Sequence, residues 1–158
     1  MRVFKNRSFA RFARKARITN ADLCAAIVDA SRGLIDADLC RPHLVCIHLR
    51  WVSSIGLARF RANPIVALAT QGCLGGGVLK QRIARQGSGK SGGLRTIILF
   101  RIGERAFFVH GFAKNERDNI RDDEVAAFKL LAAEMLAYDD ESLAGAIGNG
   151  TLTEVVCN

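Results

Sequence analysis

The sequence predicts an α+β domain, and three observations support this fold class. The chain has 158 residues, of which 49% are apolar and 24% charged, which suits one globular domain with a sizeable core. Apolar residues recur at helical spacing near both ends, whereas three β-branched or aromatic runs lie between residues 78 and 112. The order of two helices, three strands and a helix predicts an antiparallel meander with helices on one face.

The first two elements are predicted to be helices. Residues 8–18, "SFARFARKARI", place Phe9 and Phe12 on one face behind Ser8 as an N-cap candidate. Residues 19–35, "TNADLCAAIVDASRGLI", start at a capping candidate, Thr19 or Asn20, carry an apolar stripe and meet Gly33 as a stop signal.

Three strands are predicted next, at 78–84, 94–100 and 105–112, joined by two short connections. The first alternates, so that Val78, Lys80 and Arg82 face one way and Leu79, Gln81 and Ile83 the other. The glycine-rich residues 87–93 are interpreted as a flexible hairpin loop with Lys90 at its tip.

The end of the chain is predicted to be a helix from an Asp122 cap, followed by a short strand in the tail. Residues 40–74 do not fit this plan. They have no clear period and hold both prolines and the only tryptophan. We therefore expect one domain over residues 1–158, interrupted by an insertion at about 40–74.

The charge of the chain is positive and unevenly distributed. The formal net charge is +8, yet from Glu116 onward ten acidic residues face only three basic ones. Residues 1–17 carry seven basic residues and no acid, and residues 78–105 carry seven basic residues and one acid, Glu104. This asymmetry indicates a polyanionic partner held on one face, although residues 1–17 equally fit a solvated helix surface.

Cysteine usage and hydropathy indicate a cytoplasmic protein with no membrane partner. The five cysteines are odd in number and lack metal-ligand spacing, so we expect reduced thiols. The first 17 residues contain no apolar core of a signal peptide, and the uncharged residues 62–79 hold a proline and four glycines.

The stretch "ARQGSGKSGG" (84–93) is one residue short of a nucleotide-binding P-loop, because Ala84 occupies the position of the first glycine. The motif needs a helix after its lysine, but "GGLRTIILF" follows, which favours a strand. An antiparallel hairpin would instead gather Lys80, Arg82 and Arg95 on one positive surface that suits phosphate. The alternative is a solvated sheet face, which like charges on adjacent strands disfavour.

Two blocks resemble a known family. "GGGVLKQRIARQGSGKSGGLRTIILF" (75–100) and "RAFFVHGFAKNERDNI" (105–120) are similar to the RelE superfamily, and within it to HigB-type toxins of type II toxin–antitoxin modules. The resemblance implies a RelE-like fold and an endoribonuclease that cuts mRNA on the ribosome and thereby inhibits translation. It also implies no metal or other cofactor, and a cognate antitoxin, a helix-turn-helix DNA-binding protein.

The resemblance also implies residue roles. Arg95 would stabilise charge developing on the scissile phosphate, Lys80 and Arg82 would bind the backbone and help activate the 2′-hydroxyl, and Lys114 would complete the catalytic cluster. The residues implied to bind RNA are Arg85, Lys90, Arg101 and Asn115. His110 is a rival candidate base, but its alternation with Phe108 and Phe112 favours a packing role.

Other functions remain open beside the ribonuclease. The chain could be a non-catalytic or inactivated toxin that still binds antitoxin or RNA, which the 40–74 insertion favours, or a ParE-like gyrase inhibitor on the same fold. The basic cluster favours catalysis, since a protein-binding relic does not need it.

Overall fold

A computed structural model describes residues 1–39, 77–85, 89–114 and 119–157. Over these residues the chain forms six strands and four helices around one mixed sheet. In chain order the elements are β1 (Arg2–Asn6), α1 (Arg7–Ala16), α2 (Asn20–Ser31), β2 (Ala37–Asp38), β3 (Gly77–Arg85), β4 (Gly89–Arg101), β5 (Arg105–Ala113), α3 (Asp122–Met135), α4 (Asp140–Gly148) and β6 (Leu152–Val155).

The predicted meander is confirmed as the centre of the sheet. The strand order is β2-β3-β4-β5-β1-β6, and β3, β4 and β5 pair antiparallel with their neighbours. Gly103, with φ of +78°, turns the chain between β4 and β5, a backbone conformation that glycine adopts without steric cost.

The connection between β3 and β4 differs from the predicted loop. Gly89 already pairs with Arg85, so Lys90 lies within β4 rather than at a loop tip. The regular ladder runs only to Ile83 and Leu94, and the register shifts beyond that pair. A glycine-rich strand tolerates such an irregularity because no Cβ opposes it.

The strand β1 was missed by sequence reasoning, which assigned residues 1–7 only to a basic surface. It pairs parallel with β5 and antiparallel with β6, and the tail strand was predicted. Val3 and Phe4 are both buried, one in each of the two cores. A strand that is buried on both faces has no period-two alternation of apolar and polar residues, so its sequence pattern does not predict a strand.

The sheet is covered on both faces, and the expectation of helices on one face is wrong. One core includes Phe9 of α1 and Ile27 of α2, whereas the other includes Met135 of α3 and Leu143 of α4. The reason is visible in β4, where every residue from 96 to 100 is buried. Both faces of that strand are apolar or neutral, so each needs its own helical layer.

The helix boundaries follow capping chemistry. Thr19 caps α2 in a capping box with Asp22, as one of the two candidates predicted. Asn6, not Ser8, caps α1 by accepting a hydrogen bond from Phe9 N at 2.7 Å. Asp122 is the first helical residue of α3 rather than its cap, and Asp139 caps a separate helix, α4, that was not predicted.

Close packing of α1 on the sheet depends on a glycine in β5. A Cβ added at Gly111 would collide with the ring of Phe12 on α1. The same helix stacks Phe9 on Phe108 of β5, with ring centroids 5.1 Å apart. Gly111 therefore lets α1 approach the middle of the sheet.

A disulfide joins Cys24 of α2 to Cys157 after β6, and the expectation of reduced thiols is wrong for this pair. The two residues are 133 positions apart in sequence, but the sheet brings their Cα atoms to 5.7 Å. Counting cysteines cannot find such a pair, because tertiary packing alone sets the distance. Cys40, Cys46 and Cys73 lie outside the described residues.

We predict that Cys157→Ser lowers the free energy of unfolding by about 2–5 kcal/mol in air-equilibrated buffer without reductant. The reason is that the disulfide closes a very long loop in the unfolded chain. Urea denaturation of wild type and variant, with and without reductant, measures this difference. Cys24→Ser should match Cys157→Ser, and reductant should bring wild type to the same midpoint. Equal midpoints for all forms without reductant would contradict the prediction.

Candidate active site

Strand register gathers three of the four predicted catalytic cations. Arg82 of β3 lies directly opposite Arg95 of β4, and Lys80 lies opposite Ile97. Residues two apart on a strand share a face, so Lys80, Arg82 and Arg95 project from the same side of the sheet. Side chains directly opposite start about 5 Å apart and diagonal ones about 7–8 Å apart. These three residues are called the basic cluster below.

Lys114 lies near the basic cluster but outside the sheet. Arg95 pairs with Phe112 of β5, and Lys114 follows two residues later, exposed, just beyond the strand end. The position of Lys114 is therefore set by the turn that follows β5 and not by hydrogen bonds between strands. The sequence prediction that Lys114 joins the catalytic group stays a prediction.

Two polar residues that sequence reasoning did not assign hold the basic cluster in place. Arg82 Nε contacts Asp36 Oδ2 at 3.1 Å, and Lys80 Nζ donates a hydrogen bond to Asn119 Oδ1 at 2.9 Å. Asp36 precedes β2, and Asn119 precedes α3, so neither is close in sequence to its partner. Asn119 belongs to the "KNERDNI" block, but no spacing rule links that block to Lys80.

The pKa of Lys80 is lowered by its surroundings. Burial of the ammonium group is the largest cause, repulsion from Arg95 is the next, and Arg82 adds to it, whereas Asp36 opposes the shift. A lysine with a lowered pKa spends more time neutral near physiological pH, where it can accept a proton. Crowding by the two arginines thus adds to the larger effect of burial on the pKa of Lys80.

The residues implied to bind RNA are not all at this site. Arg101 sits at the far end of β4, opposite Arg105, with its Nη1 3.2 Å from Glu104 Oε2. Six residues of strand separate it from Arg95, about 20 Å. Arg85 and Lys90 lie at the hairpin end, beyond Arg82 and Arg95 along their strands. Asn115 lies outside the described residues.

His110 lies on the same face as the basic cluster. It pairs with Ile97, which in turn pairs with Lys80, so one strand separates the two side chains. Its ring centroid is 5.9 Å from that of Phe112 and 5.8 Å from that of Phe128 on α3. These ring contacts agree with the packing role that alternation on β5 indicated.

The geometry of the basic cluster suits an anionic phosphate. Three cationic side chains share one face, and Arg82 among them pairs with the carboxylate of Asp36. Over the described ranges, no three His, Cys, Asp or Glu side chains are grouped as metal ligands, and no helix is long and apolar enough to cross a bilayer. Forked guanidinium donors and an ammonium group can bind phosphate oxygens and stabilise added negative charge.

A family model matches most of the chain. The family model described as the RelE toxin of the RelE/RelB toxin–antitoxin system matches residues 1–42 and 65–155. No curated protein and no solved structure is significantly similar to the chain. The matched ranges include every residue of the basic cluster together with Asp36 and Asn119, and the unmatched residues 43–64 fall inside the segment 40–74.

We predict opposite shifts of the Lys80 pKa in two variants. Arg95→Gln should raise it, because a repelling charge is removed, whereas Asp36→Asn should lower it further, because an attracting charge is lost. A pH titration of the lysine ¹³Cε resonances of the full chain measures both shifts. Arg14→Gln, on the exposed surface of α1, is the matched control and should leave the Lys80 titration unchanged. Shifts of the same sign in both variants would contradict the electrostatic account.

Proposed function

The chain belongs to the RelE toxin family of toxin–antitoxin systems, and we propose that it cleaves messenger RNA on the ribosome without a metal ion. Membership confirms the resemblance to RelE toxins, and toxins of this family are generally endoribonucleases with an antitoxin partner. The observation that carries the finer proposal is the register that sets Arg82 opposite Arg95 beside a lysine of lowered pKa.

The chemistry follows from what these side chains can do. In RNA the 2′-hydroxyl is a built-in nucleophile, so the protein must orient it, remove its proton and stabilise a dianionic phosphorane. A new bond from O2′ to phosphorus forms as the bond to O5′ breaks, and the leaving O5′ takes a proton from solvent, which leaves a cyclic phosphate and a 5′-hydroxyl. Cations on the non-bridging oxygens lower the barrier of this step.

Each member of the basic cluster takes a role consistent with its contacts. Arg95, directly opposite Arg82 in the sheet, stabilises the charge developing on the phosphate oxygens. Lys80, held by Asn119, accepts the 2′-hydroxyl proton in its neutral form. Arg82, oriented by Asp36, binds the RNA backbone, with Lys114 beside it; Arg85, Lys90 and Asn115 extend this contact along the RNA.

The partners and location follow from the same proposal. The RNA substrate is presented by the ribosome, so the chain acts in the cytoplasm, and its antitoxin is a helix-turn-helix DNA-binding protein of the HigB type of module. Residues 78–105 carry seven basic residues and one acid, so the surface that they form attracts an anionic RNA.

A second candidate is an inactivated toxin that retains antitoxin binding. It is favoured by residues 43–64, which the family model leaves unmatched between two matched ranges. Gyrase inhibition on the same fold is a further alternative, and it predicts DNA damage rather than cut mRNA.

We predict that induced expression in bacteria arrests growth and produces codon-phased mRNA ends, and that Arg95→Ala lowers the cleavage rate about 100-fold or more, as loss of an oxyanion donor does. Arg14→Ala, an exposed arginine on the opposite helical layer, is the control and should cleave like wild type. Mapping of mRNA 5′ ends, with Western blots for equal expression, measures the effect. Intact mRNA accompanied by a DNA-damage response would overturn the proposal in favour of gyrase inhibition.

Deletion of residues 43–64 tests the inactivated-toxin candidate. If the segment blocks activity, the deletion variant should become toxic while the full chain is harmless. If the full chain is already active, the deletion should leave the positions of the mRNA cuts unchanged. Folding of the deletion variant is checked by its thermal unfolding midpoint and by antitoxin binding.

A further inference from the structure

The reverse side of the basic cluster holds a pair of buried polar residues. Among the described residues, the polar side chains that the core buries are Gln81 and Thr96, which lie opposite each other on β3 and β4. Gln81 lies between two members of the basic cluster on its strand, so alternation turns it to the face that α1 and α2 cover. Its neighbours on that face, Leu79 and Ile83, belong to the apolar core. An amide among them calls for a reason other than packing.

The Gln81 side chain binds the connection between α2 and β2. Gln81 is 5% exposed, and its Nε2 donates to the Leu34 carbonyl oxygen at 3.0 Å. Its Oε1 is buried and has no hydrogen-bond partner among the described residues. A buried acceptor without a partner destabilises the fold, whereas an apolar side chain of similar shape avoids this loss. What the amide supplies, and an apolar residue would not, is the bond to Leu34.

The connection is bonded on both sides of Asp36. Gly33, with φ of +77°, ends α2 in a Schellman motif, in which the Leu34 amide donates to a carbonyl oxygen of α2 at 2.9 Å. Both backbone groups of Leu34 are therefore bonded, one to α2 and the other to Gln81. Beyond Asp36, Ala37 of β2 pairs with β3. Asp36 lies between these two bonded segments.

Close packing does not hold this connection in place. Leu34 is 62% exposed, and a pocket of about 350 Å³ opens between the end of α2 and β3. The lining of the pocket includes Leu34, Ile35 and Asp36 of the connection and Gln81 and Arg82 of β3. The edge strand β2 has two residues, and so short a pairing contributes little stability. The bond from Gln81 therefore has a large share in fixing where Asp36 lies.

The placement of Asp36 acts on two members of the basic cluster. Its Oδ2 lies 3.1 Å from Arg82 Nε. This contact restricts the orientation of a planar guanidinium group, whose terminal nitrogens carry the donors that match phosphate oxygens. Burial and Arg95 lower the pKa of Lys80, and the charge of Asp36 opposes them. Movement of this carboxylate should therefore be measurable at both Arg82 and Lys80.

We propose that Gln81 is a positioning residue, which holds the α2–β2 connection through the Leu34 carbonyl group so that Asp36 contacts and orients Arg82. Gln81 acts from the face that α1 and α2 cover, on the other side of the sheet from the basic cluster. The consequence for RNA cleavage rests on the proposed function, whereas the placement of Asp36 does not. Gln81 carries no charge, so its replacement affects the pKa of Lys80 by moving Asp36.

NMR of the full chain tests the placement with Gln81→Met, which removes the amide and keeps a side chain of similar length. The Arg82 Nε proton should exchange with water about tenfold faster in the variant, because its contact with Asp36 opens more often. The pKa of Lys80 should fall, in the same direction as in Asp36→Asn, because the attracting carboxylate is no longer held nearby. In the Asp36→Asn background, Gln81→Met should add no further shift of this pKa, since both changes act through one contact.

Thr96→Val is the matched control. It removes a buried hydroxyl from the same core layer, and the hydrogen bond that this hydroxyl donates, to the Gln81 backbone oxygen at 3.1 Å, lies within the sheet. It should therefore leave the Arg82 exchange rate and the pKa of Lys80 as in wild type. Gln81→Leu, a second apolar replacement, should reproduce the effects of Gln81→Met. Thermal midpoints close to that of Thr96→Val show that the Gln81 variants remain folded.

The pH dependence of mRNA cleavage separates this proposal from the proposed function. If neutral Lys80 is the base, Gln81→Met should move the acid limb of the pH–rate profile to lower pH, in step with the NMR titration. If Arg95→Ala cleaves like wild type, the proposed function fails, and the two NMR measurements still decide the placement of Asp36. The positioning role is overturned by an unchanged Arg82 exchange rate in Gln81→Met, by a pKa shift of Lys80 that persists without the Asp36 carboxylate, or by equal effects of Thr96→Val.

Discussion

The register between β3 and β4 is the constraint on which the site depends. It places Arg82 directly opposite Arg95, an arrangement of like charges that weakens a sheet by itself. The core enforces it, because the neighbouring pairs Val78–Leu99 and Leu79–Ile98 are buried on opposite faces of the same two strands. A slip of one residue would move Arg82 to the face that α1 and α2 cover, where its charge would be buried, and this costs more than the repulsion between Arg82 and Arg95.

The remaining elements make this register possible by covering both faces of the sheet. The helices α1 and α2 bury one face and α3 and α4 the other, so the meander strands can be apolar on both sides. The two ends of the chain close the sheet beyond β5, where β1 lies between β5 and β6. Arg2 strengthens this closure with two hydrogen bonds to Glu154, of 2.9 and 3.1 Å. The basic cluster thus lies on a framework fixed from both termini.

Electrostatic balance at the site comes from residues outside the meander. Asp36, ahead of β2, offsets Arg82, and Asn119, ahead of α3, holds Lys80 without adding charge. The pKa of Lys80 therefore stays lowered, because burial and two guanidinium groups outweigh one carboxylate. Asp36 also lines the pocket between the end of α2 and β3.

Local pattern by itself determined the meander, the tail strand and the shared face of Lys80, Arg82 and Arg95, and it narrowed the cap of α2 to Thr19 or Asn20. Alternation, capping and turn residues act within a few positions of each other, so the sequence carries them directly. Tertiary structure alone decided the second helical layer, the strand β1, the Cys24–Cys157 disulfide, and the partners Asp36 and Asn119. Each of these depends on contacts between residues far apart in the chain, and their distances are set only when the whole sheet has assembled.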